Sequence, residues 1–282
     1  MPRRFAQVDV FTDVPLLGNP VAVVLDGDGI DDATMLRFAQ WTNLSETTFL
    51  LPPTDPTADY RLRIFTPVAE LPFAGHPTLG SCHAWLESGG SPRNPDEIVQ
   101  ECAAGLIRIR RSGDGLLAFA EPPLIRSGPV DPATLERVTT SLAIDPSRVV
   151  DAQWADNGPG WVAVLLASAD EVLAIHPRTV DLDIGVVGPH PPGSDVAWEL
   201  RAFFPLNGST VEDPVTGSLN ASVAGWLTRT GRAAAPYLAA QGTALGRAGR
   251  IQIDQDGDGR IWVGGSTVTC VRGVVDWETA VS

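Results

Sequence analysis

Proline and glycine recur along the whole chain, and this limits the length that any single helix or strand can reach. The 282 residues include 24 Pro and 28 Gly. Proline removes a backbone hydrogen-bond donor and glycine weakens the interior of helices and strands, so both tend to end regular structure. The chain therefore favours many short elements over a few long helices. Its 44% hydrophobic content supplies enough apolar material for packed cores, so we expect order over nearly the whole length.

Residue patterns place these short elements along the chain. Alternating or apolar β-branched runs predict strands at 5–11, 21–25, 49–51, 60–65, 106–111, 116–120, 161–166, 180–187, 196–204, 251–253, 260–263 and 267–275. Helices are predicted over 76–87, 131–142 and 218–229. Another helix is predicted to run through Met35 and Ala39, after an N-cap at Asp31 or Asp32.

The two halves of the chain share one plan, in which strands lead into a glycine-containing turn, a helix and further strands. The turns are Phe-Ala-Gly-His-Pro-Thr at 73–78 and Pro-Val-Thr-Gly-Ser at 214–218, and a break at 121–123 predicts a linker. We therefore expect an α+β fold of two similar lobes, each with a mostly antiparallel sheet around one helix. The first lobe is predicted to comprise 1–122 with 271–282, and the second 123–270.

Charge and composition exclude several classes of function. The net charge of -14 argues against a nucleic-acid binder, which needs basic patches for phosphate contacts. All 20 basic residues are Arg, so Schiff-base chemistry on a lysine is excluded. Because we find neither a signal-peptide pattern nor a run of roughly 18 apolar residues, we expect a cytoplasmic protein that makes no use of a membrane.

The signals for a metal site are weak. Cys82, Cys102 and Cys270 are far apart and form no CxxC pair, which does not match a zinc knuckle or a disulfide framework. The segment from Asp254 imitates the start of an EF-hand loop, but its twelfth position is Gly265 instead of glutamate. We therefore expect no metal site.

Glu46 is the first candidate for chemistry. It lies in the segment Asn-Leu-Ser-Glu-Thr-Thr-Phe at 43–49, directly before a predicted strand. A carboxylate in this position is either a solvated charge at a strand end or a partly buried base. Burial disfavours the charged form and would suit the residue to carry protons near neutral pH. The residue pattern alone leaves both interpretations open.

Two glycine-containing helix starts supply further candidates. His76 lies between Gly and Pro at a predicted helix start, where backbone N–H groups favour an anion, and it is either a structural histidine or a proton donor and acceptor. Asp213 and Ser218 flank the turn before the helix at 218–229. Ser218 is a candidate N-cap and Asp213 a candidate acid or base, although ordinary capping would also explain both residues.

A series of ordered segments resembles the PhzF-like family, the relatives of the phenazine-biosynthesis isomerase within the diaminopimelate-epimerase-like fold. The matching segments are DVFT at 9–12, GNP at 18–20, NLSETTF at 43–49, FTP at 65–67, ELPFAGHPT at 70–78, EDPVTGS at 212–218, and QG at 241–242 with GR at 246–247. They span nearly the whole chain in order, so we expect membership of this family.

The resemblance implies two pseudo-symmetric lobes, each a curled sheet around a central helix, with the active site between them in a homodimer. It implies a cofactor-independent isomerase that moves a proton on carbon of a small carboxylate-bearing substrate, without a metal ion. Glu46 matches the family's catalytic glutamate, and His76 and Asp213 match polar residues that assist it. The family positions that bind the substrate carboxylate are matched by Ser45, Gly75, Gly217 and Ser218.

Two other functions remain open for this fold. An amino-acid epimerase or racemase would use two cysteine thiols, one in each lobe, and the three cysteines lie outside the matched segments around Glu46 and Asp213. A non-catalytic metabolite-binding protein would keep the fold without the reaction.

Overall fold

The computed structural model describes residues 2–277, which form two compact units. One unit comprises 2–119 with 264–277, and the other comprises Ala120–Val263. The lobe boundaries expected at 122 and 270 stay a prediction. The residues of the expected first lobe at 1 and 278–282 lie outside the described residues.

Short strands dominate the described chain, as the spacing of proline and glycine predicts. The strands are β1 Arg3–Val10, β2 Asn19–Val24, β3 Thr47–Leu51, β4 Tyr60–Phe65, β5 Glu70–Leu71, β6 Glu97–Cys102, β7 Gly105–Arg111, β8 Leu117–Ala120, β9 Arg126–Pro129, β10 Asp151–Asp156, β11 Val162–Leu165, β12 Ile184–Pro189, β13 Trp198–Leu206, β14 Ser209–Asp213, β15 Tyr237–Gln241, β16 Gly249–Gln255, β17 Ile261–Gly265 and β18 Thr267–Val275. The helices are α1 Asp32–Thr42, α2 Gly75–Glu87, α3 Pro132–Leu142, α4 Ala169–Leu173 and α5 Gly217–Arg229. Within 2–277, no helix is both long and apolar enough to span a membrane.

The unit that contains the first strands has a mostly antiparallel sheet. β1 pairs antiparallel with both β18 and β2, and β2 then pairs parallel with β3 across the connection through α1. β3 and β5 pair antiparallel with β4, and β4 pairs parallel with β6 across the connection through α2. β7 follows antiparallel to β6, and β8 antiparallel to β7.

The second unit repeats this order of pairings. β10 and β11 are antiparallel, β11 and β12 are parallel across α4, and β12 and β13 are antiparallel. β13 pairs antiparallel with β14 and parallel with β15 across α5, and β16 closes the series antiparallel to β15. The matching pattern confirms the expected α+β class, in which each unit has a mostly antiparallel sheet and one long buried helix.

The two long helices, α2 and α5, are the central helices of their units. Each has 13 residues, and every residue of α2 from Gly75 to Cys82 is buried. In α5, Leu219 to Leu227 are buried without a break. A helix that is apolar or small on all sides is typical of a core position, because no side of it faces water. The strands β1, β2, β3, β4, β6 and β18 contact α2.

A buried ion pair fixes the strand that leads to Asp213. Arg201 on β13 donates to both carboxylate oxygens of Glu212 on β14, at 2.9 and 2.7 Å, and both side chains are almost fully buried. Arg201 also donates to the carbonyl of Ile175, just beyond the end of α4. A bidentate pair with its remaining donors satisfied holds strand and helix in one geometry.

Most predicted elements are confirmed, with small shifts at their ends. The strands at 60–65 and 267–275 are found as expected, and Asp31, one of the two expected caps, is the N-cap of α1. The helix expected over 131–142 begins one residue later, with Asp131 as its N-cap. The strand expected at 180–187 was wrong at its start, because the strand begins at Ile184. The backbone N–H of Val180 instead donates to the Thr210 hydroxyl. The sequence patterns missed β5, β6, β9, β10, β14, β15 and α4.

Replacement of Gly80 tests the close packing of α2 on its sheet. A Cβ atom at this position would lie 2.4 Å from Val21 Cγ1 and 3.0 Å from Val10 Cγ2, both on β-branched side chains that have few alternative rotamers. We expect Gly80→Ala to lower the free energy of unfolding by about 1–3 kcal/mol, measured by urea denaturation. Gly113→Ala is the control, because a Cβ there meets nothing within 4 Å. Equal stability of both variants would contradict this packing.

Candidate active site

Glu46 and His76 lie together at the start of α2. Glu46 directly precedes β3, and its Oε2 lies 3.2 Å from Nε2 of His76, the second residue of α2. The Glu46 side chain is 15% exposed and the His76 side chain 6%. The two atoms are in contact without the alignment of a regular hydrogen bond. The carboxylate is therefore partly buried, not a solvated strand-end charge.

His76 is held as a neutral imidazole. Burial lowers its pKa to about 3, against a smaller opposing effect of a hydrogen bond to the Pro20 backbone. The side chain of Asn19, fully buried on β2, places its Nδ2 3.4 Å from His76 Nδ1. A neutral imidazole offers one donor and one acceptor nitrogen. At Nε2 it can therefore either donate to an ionised Glu46 or accept from a protonated one.

The central helices differ from the others in how they begin. α1, α3 and α4 start with a side-chain cap, from Asp31, Asp131 and Ser168. α2 begins after Ala74 and α5 after Thr216, and within the described residues neither of these makes a side-chain cap bond. The N–H groups of a first turn have no partner inside the helix and carry partial positive charge. Both helix starts are thus suited to an anion.

Asp213 lies at the end of β14, beside the start of α5. The Thr216 hydroxyl donates to Asp213 Oδ2 at 2.6 Å, so the side chain at the N-cap position of α5 binds the carboxylate and makes no cap bond. Gln241 at the end of β15 binds the same loop through Asp213 and Thr216. The structure therefore brings Asp213 to a helix start, as the sequence predicts.

Ser218 is not an N-cap, and the prediction of that role was wrong. It is the second residue of α5, and the cap position belongs to Thr216. Ser218 Oγ accepts a hydrogen bond from the indole nitrogen of Trp161 at 3.0 Å, and its carbonyl accepts from Asn157. Because the hydroxyl accepts from Trp161, its own proton can be donated to another group.

The remaining predicted binding residues lie beside these side chains in the chain. Ser45 is exposed directly before Glu46, and Gly75 is buried directly before His76. Gly217 is the buried first residue of α5. The role of Ser45, Gly75, Gly217 and Ser218 in carboxylate binding stays a prediction.

Sequence reasoning did not predict that three residues organise these groups: Asn19, which it considered only as a wall of the substrate pocket, Thr216 and Gln241. Asn19 and Gln241 are fully buried polar side chains, and Thr216 is also buried. All three occur in segments that match the family, which was the available signal. The partners of Asn19 and Gln241 are distant in sequence, so the pattern could not show what these two residues bind. Within 2–277, no group of three or more His, Cys, Asp or Glu side chains is arranged to hold a metal ion.

Comparison with known proteins gives the same family as the sequence motifs. The family model described as phenazine biosynthesis-like protein matches residues 8–273. The fission yeast protein named antisense-enhancing sequence 1 is 37% identical, with 96% of this chain and 98% of that protein covered. The trans-2,3-dihydro-3-hydroxyanthranilate isomerase of Pseudomonas fluorescens is 34% identical, covering 97% and 99%.

A solved structure agrees with this at the level of the fold. The crystal structure of a PhzF-family phenazine biosynthesis protein from Bacillus anthracis superposes with a TM-score of 0.82 at 23% identity, covering 98% of this chain and 99% of that one. A partly buried glutamate beside a neutral histidine thus lies on a fold shared with PhzF-family proteins. The chain belongs to the phenazine biosynthesis-like family, and by class it is an isomerase.

The neutral state of His76 can be tested by pH. Its pKa of about 3 in the native protein lies below the value of about 6.5 in an unfolded chain, so the unfolded state takes up the proton first. His76 therefore lowers the free energy of unfolding as the pH falls from about 6.5 towards 3, by up to about 1.4 kcal/mol per pH unit. Urea denaturation at several pH values measures this change.

The variant His76→Asn is the control, because it should lose this part of the pH dependence. Nitrogen NMR of the imidazole in the intact protein should show a neutral ring at pH 5. A His76 ring that protonates with a midpoint near 6.5 would contradict the assignment.

Proposed function

We propose that this chain moves a proton on carbon of a small carboxylate-bearing metabolite, with Glu46 as the acid and base. The observation that carries the proposal is the contact between Glu46, 15% exposed, and the neutral, buried His76 at 3.2 Å. A partly buried carboxylate can accept a proton from carbon and return it elsewhere without a cofactor.

His76 is proposed to adjust to the protonation state of Glu46. While Glu46 is ionised, the His76 tautomer with its proton on Nε2 can donate to it. Once Glu46 carries the substrate proton, the tautomer with its proton on Nδ1 can accept at Nε2, so the ring proton has to move from Nε2 to Nδ1 between the two states. A charged imidazolium could not accept, so the low pKa of His76 supports this role. Asn19, against His76 Nδ1, limits the rotation of the ring.

Negative charge develops on the substrate when a proton leaves carbon, and fixed donors must stabilise it. We propose that the starts of α2 and α5 supply these donors through Gly75 and Gly217, with the hydroxyls of Ser45 and Ser218 binding the substrate carboxylate. Support comes from the absence of a side-chain cap at either helix start in the described chain, and from the Trp161 hydrogen bond that leaves the Ser218 proton for donation.

Asp213 is proposed as the second polar group of the reaction. Its Oδ2 is held by the Thr216 hydroxyl, which fixes the carboxylate at the start of α5. We propose that it holds the substrate or assists proton transfer.

Epimerisation by two thiols has less support. Cys82, Cys102 and Cys270 all belong to the first unit, so the second unit cannot supply a thiol. Burial also raises the pKa of Cys82 to about 12 and raises that of Cys102, which disfavours the reactive thiolate.

The substrate is proposed to be a small carboxylate with an acidic C–H bond. The Pseudomonas fluorescens relative is named for a dihydro-hydroxyanthranilate, which has both features. The expected homodimer and cytoplasmic location also stay predictions, which analytical ultracentrifugation and cell fractionation would test.

Exchange of carbon-bound hydrogen in D2O tests the role of Glu46. With trans-2,3-dihydro-3-hydroxyanthranilate and related carboxylates as probes, mass spectrometry should detect deuterium uptake with the intact protein. Glu46→Gln should slow this uptake by about 100-fold or more, because the amide cannot accept the proton.

The matched control for this experiment is Glu87→Gln. Glu87 is at the opposite end of α2, where it binds Thr269 and Arg272. This variant should keep the exchange rate. Uptake that persists unchanged in Glu46→Gln would remove Glu46 from the mechanism, and no uptake with any probe would favour a metabolite-binding protein.

A further inference from the structure

We propose that Gln241 is a positioning residue that sets the direction of the Thr216 hydroxyl and so commits its proton to Asp213. The inference rests on the proposed role of Asp213 and goes beyond it, because it explains how that carboxylate is held. Gln241 is at the end of β15 with no exposed surface, 25 residues after Thr216 in sequence.

Two backbone groups fix which end of the Gln241 amide is oxygen and which is nitrogen. Its Oε1 accepts from the backbone N–H of Thr216 at 3.0 Å, and its Nε2 donates to the backbone carbonyl of Asp213 at 3.1 Å. A backbone N–H can only donate and a carbonyl can only accept. A flipped amide would face both groups with the wrong atom, so the orientation is determined.

The fixed amide determines the direction of the next hydrogen bond. Gln241 Nε2 lies 2.9 Å from Thr216 Oγ1, and as an N–H group it must donate there. The Thr216 hydroxyl has a single proton, which it therefore gives to Asp213 Oδ2, 2.6 Å away. The relay runs in one direction, from Gln241 through Thr216 to the carboxylate.

A second contact of Oε1 strengthens the amide's position. Asn220, the fourth residue of α5, donates its Nδ2 to Gln241 Oε1 at 2.8 Å and also to the Thr216 carbonyl. Both ends of the buried amide are thus satisfied. A buried polar side chain whose hydrogen bonds are all satisfied is held rigidly. This rigidity suits a residue that orients the hydroxyl of another.

The first unit contains a matched residue. Gln100 on β6, the strand that follows α2, is also fully buried. Its Nε2 donates to Thr78, the fourth residue of α2, and its Oε1 accepts from Tyr60. Gln100 thus has the same place relative to its central helix as Gln241, but its hydrogen bonds go to Thr78 and Tyr60, neither of which is a predicted site residue.

Gln241→Glu reverses the relay with little change in shape. At neutral pH the ionised carboxylate would still accept from the Thr216 N–H, but its second oxygen would take the Thr216 hydroxyl proton away from Asp213. That oxygen would also place an acceptor where the Asp213 carbonyl now has a donor. We expect the carboxyl carbon resonance of Asp213 to shift in 13C NMR, and deuterium uptake at saturating probe to fall by about 10-fold or more. Gln100→Glu places the same charge in the first unit and should leave the Asp213 resonance unchanged.

Substitutions at Thr216 separate the relay from a general loss of structure. Thr216→Val should reproduce the Asp213 resonance shift, and Thr216→Ser should restore the native position because it keeps the hydroxyl. Combining Gln241→Glu with Thr216→Val should add little further loss, because both remove the same bond. An unchanged Asp213 resonance in folded Gln241→Glu, or fully additive losses, would overturn the inference.

The NMR measurement does not depend on turnover, so it separates this inference from the proposed function. If Asp213→Asn leaves deuterium uptake unchanged, Asp213 has no role in the reaction, but the relay can still be present. If the resonance fails to move while Asp213→Asn is inactive, the proposed function holds and the relay is wrong.

Discussion

Each unit depends on burying most of one long helix against its sheet, and in the described chain the N-cap residue of that helix makes no side-chain cap bond. Such burial favours small or apolar residues, and Gly80 lies against the β-branched side chains of Val21 and Val10. The first N–H groups of a buried helix need a partner, and no side chain at Ala74 or Thr216 supplies one in the described chain. The same constraint that builds each core thus leaves a donor surface at its end.

The two units share a backbone plan and differ in the chemistry at the helix start. The second residue of the helix is neutral His76 in α2 and Ser218 in α5, which is hydrogen bonded to an indole. A buried glutamine follows each helix, but only Gln241 reaches a carboxylate through a threonine. Proton chemistry and carboxylate positioning are therefore assigned to different units in the proposed mechanism.

Much of the fold could be predicted because local patterns determine it. Asp31 and Asp131 cap α1 and α3 by contacts within three residues. The polar and apolar residues of β4 alternate as its burial does, and β18 was placed correctly from its residue types. The strands β14 and β15 were missed because their residues are mixed in polarity, and pairing with β13 decides their conformation. The contacts of Asn19 and Gln241 span 57 and 25 residues, so no local pattern could reveal them. The site residues could be predicted from the family motifs, whereas the hydrogen-bond relay from Gln241 to Asp213 is visible only in the three-dimensional structure.

The place of β18 has a consequence for how the chain is made. β18 is the last described strand, and it pairs with β1, from Arg3 opposite Val275 to Val10 opposite Thr267. The second unit is continuous in sequence, so it can fold as soon as its last strand leaves the ribosome. The first unit has to wait, with one edge of β1 unfilled, until β18 has followed the whole second unit out of the ribosome. The unit that contains Glu46 is thus begun before the second unit and completed after it.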